Sequence, residues 1–344
     1  LLARAQWLAG RVRLVDGEAK AAERELRRAL VMAQRAGDAP LSAAVETELV
    51  YAVSRDRDRA REAEDLAAEA AGMIAALGDP PLLRARLWSH HASALAHAPD
   101  GDHDEAVRLH ERAVEALRGE LGPQHPAVIV EIGNLGAALN YADRPADAEA
   151  RLREAIEAAR SVWGEEHPRH ALLLGTLGLA RMRQGDRRGA EEQLRRSLEI
   201  REATLGSEHA QVDDARYNLA SALRREERHA EALPLLERGL ADTLRRLGPD
   251  DARLGPWWVA TGESALAVGD RPRAREALAA ALRRFERTGA SAADYARVRL
   301  ALARAWVDED PARARILAEL ARADAEAAGG EHRIEEIDAF LAGR

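Results

Sequence analysis

Apolar and small side chains recur along most of the chain at the i, i+3, i+4, i+7 spacing of a helix face, and alternation of period two is absent. The pattern predicts helices throughout. After Pro126, the residues Ile132, Leu135, Gly136 and Leu139 share one helical face. Beyond a polar break at Asp143-Arg144-Pro145, a second face runs through Ala148, Leu152, Ala155 and Ile156. Each such stretch reads as two helices joined by a short turn. On the second helix Glu23/Arg27, Glu149/Arg153 and Glu191/Arg195 stand four apart in the favourable acid-first order, which marks a face turned to water.

The pattern repeats. Leu121-Gly122-Pro123-Gln124-His125, Trp163-Gly164-Glu165-Glu166-His167, Leu205-Gly206-Ser207-Glu208-His209 and Leu247-Gly248-Pro249-Asp250-Asp251 begin at successive intervals of 42 residues. Ala106, Ala148, Ala190, Ala232 and Ala274 keep the same interval, and Ala22, Ala63 and Ala314 extend it at 41, 43 and 40. About eight units fill the chain. The shared glycines sit just past the second helix, where a left-handed residue is needed. His125, His167, His209 and Asp251 follow at the N-cap of the next helix, with Pro126 and Pro168 at the first helical position.

Composition sharpens this picture. The 344 residues exceed the roughly 250–300 at which one core stops growing. Alanine accounts for 76 of them and Phe, Tyr and Trp together for 12, so the interior is built from small residues on closely packed helices. Small residues recur at three fixed places in each unit: on the first helix (Gly136, Gly178, Ala220, Gly262), twelve residues later (Ala148, Ala190, Ala232, Ala274), and seven later again (Ala155, Ser197, Gly239, Ala281). A period of 40–47 alone would admit HEAT and armadillo repeats. The three small sites and the strings L-G-x-x-H-P (Leu121 to Pro126), N-L-A (Asn218 to Ala220, with Asn134-Leu135-Gly136 as a variant) and A-E-x-x-L-x-x-S-L (Ala190 to Leu198) resemble instead the tetratricopeptide repeat of the kinesin-light-chain type.

The resemblance implies an all-α fold, an α-α superhelix of about eight helix-turn-helix repeats closed by a C-terminal capping helix. Residues 1–80 read as two degenerate repeats, 81–288 as five 42-residue repeats (best matched over 103–288), and 289–344 as a degenerate eighth repeat with a final helix through Ile334, Ile337, Phe340 and Leu341. It also implies a groove lined by the first helices that receives a protein or peptide segment, with no catalysis. In the family an asparagine before the Leu-Ala of the first helix points into the groove and hydrogen-bonds the ligand backbone, which the resemblance carries over to Asn134 and Asn218; Thr176 and Ala260 depart from the pattern. An asparagine there either meets ligand or satisfies an inter-repeat contact. Val130, Gly133, Ala137, Asn140, Tyr141, Leu172, Gly175, Leu179, Arg183, Asp214, Tyr217, Ser221, Arg224 and Arg225 are the other expected groove positions. Arg183, Arg224 and Arg225 read either as a basic strip for acidic or phosphorylated peptides or, more simply, as ordinary exposed residues. Tyr141 and Tyr217 are contact anchors or packing residues.

Other classes recede. With no cysteine there is no disulfide framework, thiol nucleophile or cysteine-ligated metal. No nucleotide-binding, serine-hydrolase or kinase motif occurs, so neither an enzyme nor a cofactor is expected. His90, His91, His97, His103 and His110 crowd one unit and His167 and His170 form H-x-x-H, but no H-E-x-x-H pattern accompanies them and metal binding is not expected. Net charge is −8, which disfavours nucleic acid, and the single lysine among 51 basic residues reads as genome composition. The longest apolar run, Ala171 to Ala180, is too short to span a membrane, and a cytoplasmic location is expected. Trp7, Trp88, Trp163 and Trp306 read as plugs between repeats, while of the adjacent Trp257 and Trp258 one is expected to be exposed. The chain opens on Leu-Leu-Ala-Arg and looks like a piece of a longer protein. Alternative readings are therefore the sensory region of a larger signalling protein, such as a bacterial serine/threonine kinase or nucleotide-binding switch, and a self-association module.

Overall fold

A computed structural model describes the chain apart from Asp16, Arg57, Asp58, Pro99, Asp250, Ala252 and Arg344 and the side chain of Thr288. The described residues form seventeen α-helices and no strand. They divide into two compact units, Leu1–Asp186 and Arg187–Arg344. The first contains α1 (Leu2–Val15), α2 (Ala19–Arg35), α3 (Ala39–Ser54), α4 (Ala60–Ala76), α5 (Pro81–His97), α6 (His103–Leu121), α7 (Pro126–Tyr141), α8 (Pro145–Trp163) and α9 (Pro168–Gln184). The second contains α10 (Arg187–Leu205), α11 (Ala210–Arg225), α12 (His229–Leu247), α13 (Leu254–Ala267), α14 (Arg271–Thr288), α15 (Ala292–Trp306), α16 (Pro311–Ala327) and α17 (Glu331–Leu341).

Within each unit successive helices pack on each other, and the first helices of neighbouring hairpins also pack together: α3 on α5, α5 on α7 and α7 on α9 in one unit, α11 on α13 and α13 on α15 in the other. One side of each unit is thereby lined by first helices. The small sites explain the closeness. A Cβ built on Gly136 would stand 2.6 Å from Leu152 of α8, and one on Gly262 would stand 2.5 Å from Leu278 of α14. Each leucine of the second helix inserts where the first helix offers no side chain.

The helix ends follow the sequence punctuation with two physical differences. His125, His167 and His209 accept the backbone N–H two residues on, at 3.1, 3.1 and 3.2 Å, and so cap α7, α9 and α11. Asp251 accepts from the Arg253 N–H at 2.9 Å, but α13 begins only at Leu254. Asp250, of the same marker string, lies outside the described residues. The glycines have positive φ but not the left-handed helical conformation expected of them: Gly122, Gly164 and Gly248 lie at φ 83, 84 and 78° with ψ 156, 168 and 168°. This extended region is open essentially to glycine alone, and it swings the chain directly into the next cap.

The acid-first pairs are not simply a wet face. Glu23, Glu149 and Glu191 are only 14, 19 and 21% exposed, because the next hairpin sends Arg59, Arg181 with Gln184, and Arg228 onto them. The hydrogen bonds from Arg59 hold the Glu23 carboxyl down at about 2. These carboxylates sit in the seam between hairpins.

Candidate functional site

In the first unit, the side formed by first helices carries a hollow of about 120 Å³ between α7 and α9. Its floor is apolar, made by Ile129, Val130, Ala137, Leu172 and Leu173. Gly133 opens it: a Cβ there would stand 2.6 Å from Leu173. Leu172 is 51% exposed, a large apolar side chain presented to solvent. At the rim Arg169 lies over the Trp163 ring, 5.8 Å from its centroid, and among the described residues it makes no ion pair. Asn134 and Thr176 supply the polar edge. The Thr176 hydroxyl donates to the Leu172 carbonyl at 3.0 Å, and the Asn134 amide donates to Glu131 at 3.2 Å.

Glu131 is the centre of a buried polar cluster. It is 3% exposed and accepts from the Ser89 hydroxyl at 2.7 Å and from His110 Nδ1 at 2.7 Å, with His110 itself 2% exposed. The cluster ties α5, α6 and α7 together directly below Asn134.

The other expected groove residues separate. Asn140 is 6% exposed and its amide donates to the Thr176 carbonyl at 3.3 Å, so it clamps α7 to α9 rather than facing an open groove. Tyr141 is 47% exposed and stands against the rings of His97 and His103. Arg183 lies 3.8 Å from Asp143 in an exposed ion pair.

In the second unit a hollow of about 180 Å³ opens between α11, α13 and α15, lined by Tyr217, Arg224, Pro256, Val259, Ala260, Phe285, Asp294, Arg297 and Val298. Arg224 bonds Glu263, and Arg297 grips the same carboxylate through Nε and Nη2, both at 2.5 Å. Tyr217 meets Trp257 edge to face at 5.0 Å, and burial pushes its phenol pKa up. Asn218 is half buried and makes no side-chain hydrogen bond among the described residues. Arg225 is exposed. Arg183 and Arg224 are thus already paired, and the three arginines do not form a row of unengaged cations.

Trp257 is buried at 7% exposure and rests on Gly239, while Trp258 is half buried beside Leu244, Pro249 and Arg283 around a third hollow of about 300 Å³. Two of the crowded histidines lie against backbone carbonyls: His90 Nδ1 is 2.9 Å from that of Thr47 and His97 Nδ1 is 2.5 Å from that of Ser93. Among the described residues no three His, Asp or Glu side chains gather to hold a metal, and no helix is long and apolar enough to cross a membrane.

Glu131, Arg169, Glu263 and Arg297 were not singled out by sequence, and His110 only as one of the crowded histidines. The signal was present for two of them. One repeat length after His110 stands Leu152, and one after Glu131 stands Leu173, so both are polar residues at apolar positions of the repeat.

Residues 83–161 and 168–244 match the tetratricopeptide repeat model. No curated protein matches the chain. Among solved structures, the kinesin-light-chain tetratricopeptide-like repeats of Podosopora anserina are 24% identical, with 60% of this chain and 97% of that one covered at a TM-score of 0.51. A signal transduction ATPase with numerous domains and a tetratricopeptide repeat sensor, from Pyrococcus horikoshii, is 15% identical; 99% of this chain covers 52% of it at a TM-score of 0.69. A Rap protein complexed with competence and sporulation factor is 10% identical, with 99% of this chain and 96% of that one covered at 0.64. At these identities the likeness is one of fold. Taken with the 42-residue register and the helix pairs, the matches over 83–161 and 168–244 show that this part of the chain is built of tetratricopeptide repeats, whose hairpins fold like those of the kinesin-light-chain type.

Proposed function

We propose that the chain is a non-catalytic binding scaffold that takes an extended protein or peptide segment along the side lined by its first helices. The observation that carries this reading is the hollow between α7 and α9. A glycine-floored apolar recess, a half-exposed leucine, polar edges from Asn134 and Thr176 and an arginine without a carboxylate partner stand together there. Such a surface suits a peptide that inserts an apolar side chain, hydrogen-bonds through its backbone and carries an acidic group toward Arg169. The Rap protein of the same fold is seen complexed with a factor, which supports a ligand-receiving role. The test is an array of fifteen-residue peptides probed with the wild-type chain and with Leu172→Glu and Arg169→Glu variants. Binding to a subset of peptides that both variants lose supports the groove. No binding by the wild type, or equal binding by the variants, overturns it.

A second reading, that the array is the sensory region of a larger signalling protein, is favoured by one observation. Nearly the whole chain superposes on about half of an ATPase that carries a tetratricopeptide repeat sensor. The coding sequence upstream of Leu1 decides it: an ATPase or kinase module there supports the reading, and a start codon immediately before Leu1 removes it.

A further inference from the structure

Beneath Asn134 the protein places polar side chains where the repeats that follow place carbon. His110 stands at the position that Leu152, Leu194, Leu236 and Leu278 occupy in the four following repeats, each 1% exposed or less. Glu131 stands at the position of Leu173, Ala215 and Trp257, all buried. Two positions that are apolar in the following repeats are polar together here, and the two side chains touch. Packing alone does not account for this, because a well-packed hydrophobic pair in place of a buried ion pair is commonly neutral or stabilising.

The geometry points to another role. A carboxylate only accepts hydrogen bonds, so the group that Asn134 turns toward Glu131 Oε2 at 3.2 Å is its NH2. The carboxylate is in turn held by Ser89 and His110, both at 2.7 Å, so it does not rotate away. Asn134 Oδ1 is left on the hollow side and has no hydrogen bond among the described residues. Beside it the Thr176 hydroxyl has spent its proton on Leu172 and offers only lone pairs. The Asn134 oxygen thus presents an acceptor to this hollow, next to the lone pairs of Thr176.

We propose that Ser89, His110 and Glu131 form a positioning device that locks the Asn134 amide with its oxygen toward the hollow, so that this repeat selects backbone N–H groups of an extended peptide. The proposal rests on the groove reading for its ligand but not for the orientation of Asn134, and the experiment separates the two.

The decisive variant is His110→Leu/Glu131→Leu, which installs the residues of the neighbouring repeat. Leu236 and Ala220, which occupy the positions equivalent to His110 and Ala94 three repeats on, are both fully buried, so a leucine is accommodated beside an alanine there. Its thermal midpoint is expected to match or exceed the wild type. By NMR, the Asn134 side-chain amide protons exchange slowly in the wild type and lose that protection in the variant; unchanged protection overturns the proposal. A fifteen-residue peptide selected on the wild-type array is then N-methylated one position at a time. One methylated position is expected to lose about tenfold in affinity for the wild type and little for the double variant. Equal losses in both proteins overturn the selection of backbone N–H groups. If no array peptide binds the wild type, the groove reading fails while the amide measurement still decides the orientation. Ser89→Ala, which keeps the His110–Glu131 pair, provides a milder version with about a two- to threefold loss; should the double variant unfold, the same exchange measurement on Ser89→Ala decides.

Discussion

At the scale of single residues, what matters in this protein is which positions lack a side chain. Gly239 shows the point. A Cβ there would stand 2.2 Å from the Trp257 ring, whereas exposed Gly72 within α4 has nothing within 4 Å of the same construction. Helix propensity favours alanine over glycine by about 1 kcal/mol at both places. At Gly239 overpacking of about 1–3 kcal/mol opposes it. Gly72→Ala is therefore expected to gain about 0.5–1 kcal/mol in urea unfolding and Gly239→Ala to lose about 1–2. A gain at both would mean that Trp257 moves aside freely. The requirement for a small residue at Ala155, Ser197, Gly239 and Ala281 was legible in the repeat; that one of the four must be glycine was not, because it depends on a tryptophan from the next helix.

Between elements, hairpins are joined by leucine in glycine and by charge in seams. Arg216 is the clearest case: 1% exposed, it bonds Asp242 at 2.8 Å, Asp213 at 3.2 Å and Glu202 at 2.6 Å. Its equivalents one and two repeats earlier are Leu174 and Ile132, so the helical pattern called for carbon here. Removing the guanidinium in Arg216→Met leaves buried Asp213 and Asp242 with only Arg246, Thr243 and Arg245 and is expected to cost about 2–4 kcal/mol. Arg216→Leu/Asp213→Ala/Asp242→Ile, copied from the preceding repeat, is expected to recover most of that in the same unfolding assay. In α3, Glu46 is 1% exposed, and burial followed by the neighbouring Glu69 carboxyl raises it from 4.5 to about 7. The folded chain thus binds an extra proton between about pH 4.5 and 7. This contribution to stability is complete below 4.5 and lost as pH rises through 7, about 2 kcal/mol after allowance for solvent around Glu69. Glu46→Gln is expected to flatten that segment of the stability–pH curve, and an unchanged slope would remove Glu46 as its source.

For the whole molecule, a repeat array distributes stability by neighbours rather than through one core. α1 buries only Gly10, and Leu2, Leu8, Val12 and Val15 on it are exposed. α3 buries residues from Leu41 to Ser54 along nearly its whole length. Native-state hydrogen exchange in the first unit is therefore expected to show α1 opening at much lower free energy than α3, by at least 2 kcal/mol. Equal protection would show that α1 is held by something beyond its contacts with α2 and α3. The arginine richness that reads from sequence as genome composition acquires a structural use at this scale, because Arg59, Arg181 and Arg228 reach across from one hairpin to the carboxylate of the preceding one.

The sequence by itself determined the helix pairs, their 42-residue register, the caps at His125, His167 and His209, and the small positions that let hairpins close. All of these follow from local spacing and backbone conformation. Only the tertiary structure decided which of the expected groove residues are taken up by partners of their own. Asn140 and Arg224 stand at positions facing the groove in the repeat pattern, yet one is tied to Thr176 on the next first helix and the other to Glu263 on α13. Asn134 remains at the hollow because Glu131, Ser89 and His110 from three different helices hold it there. Periodicity places a side chain on a face; whether that side chain is available depends on partners a whole repeat away, which no local pattern encodes.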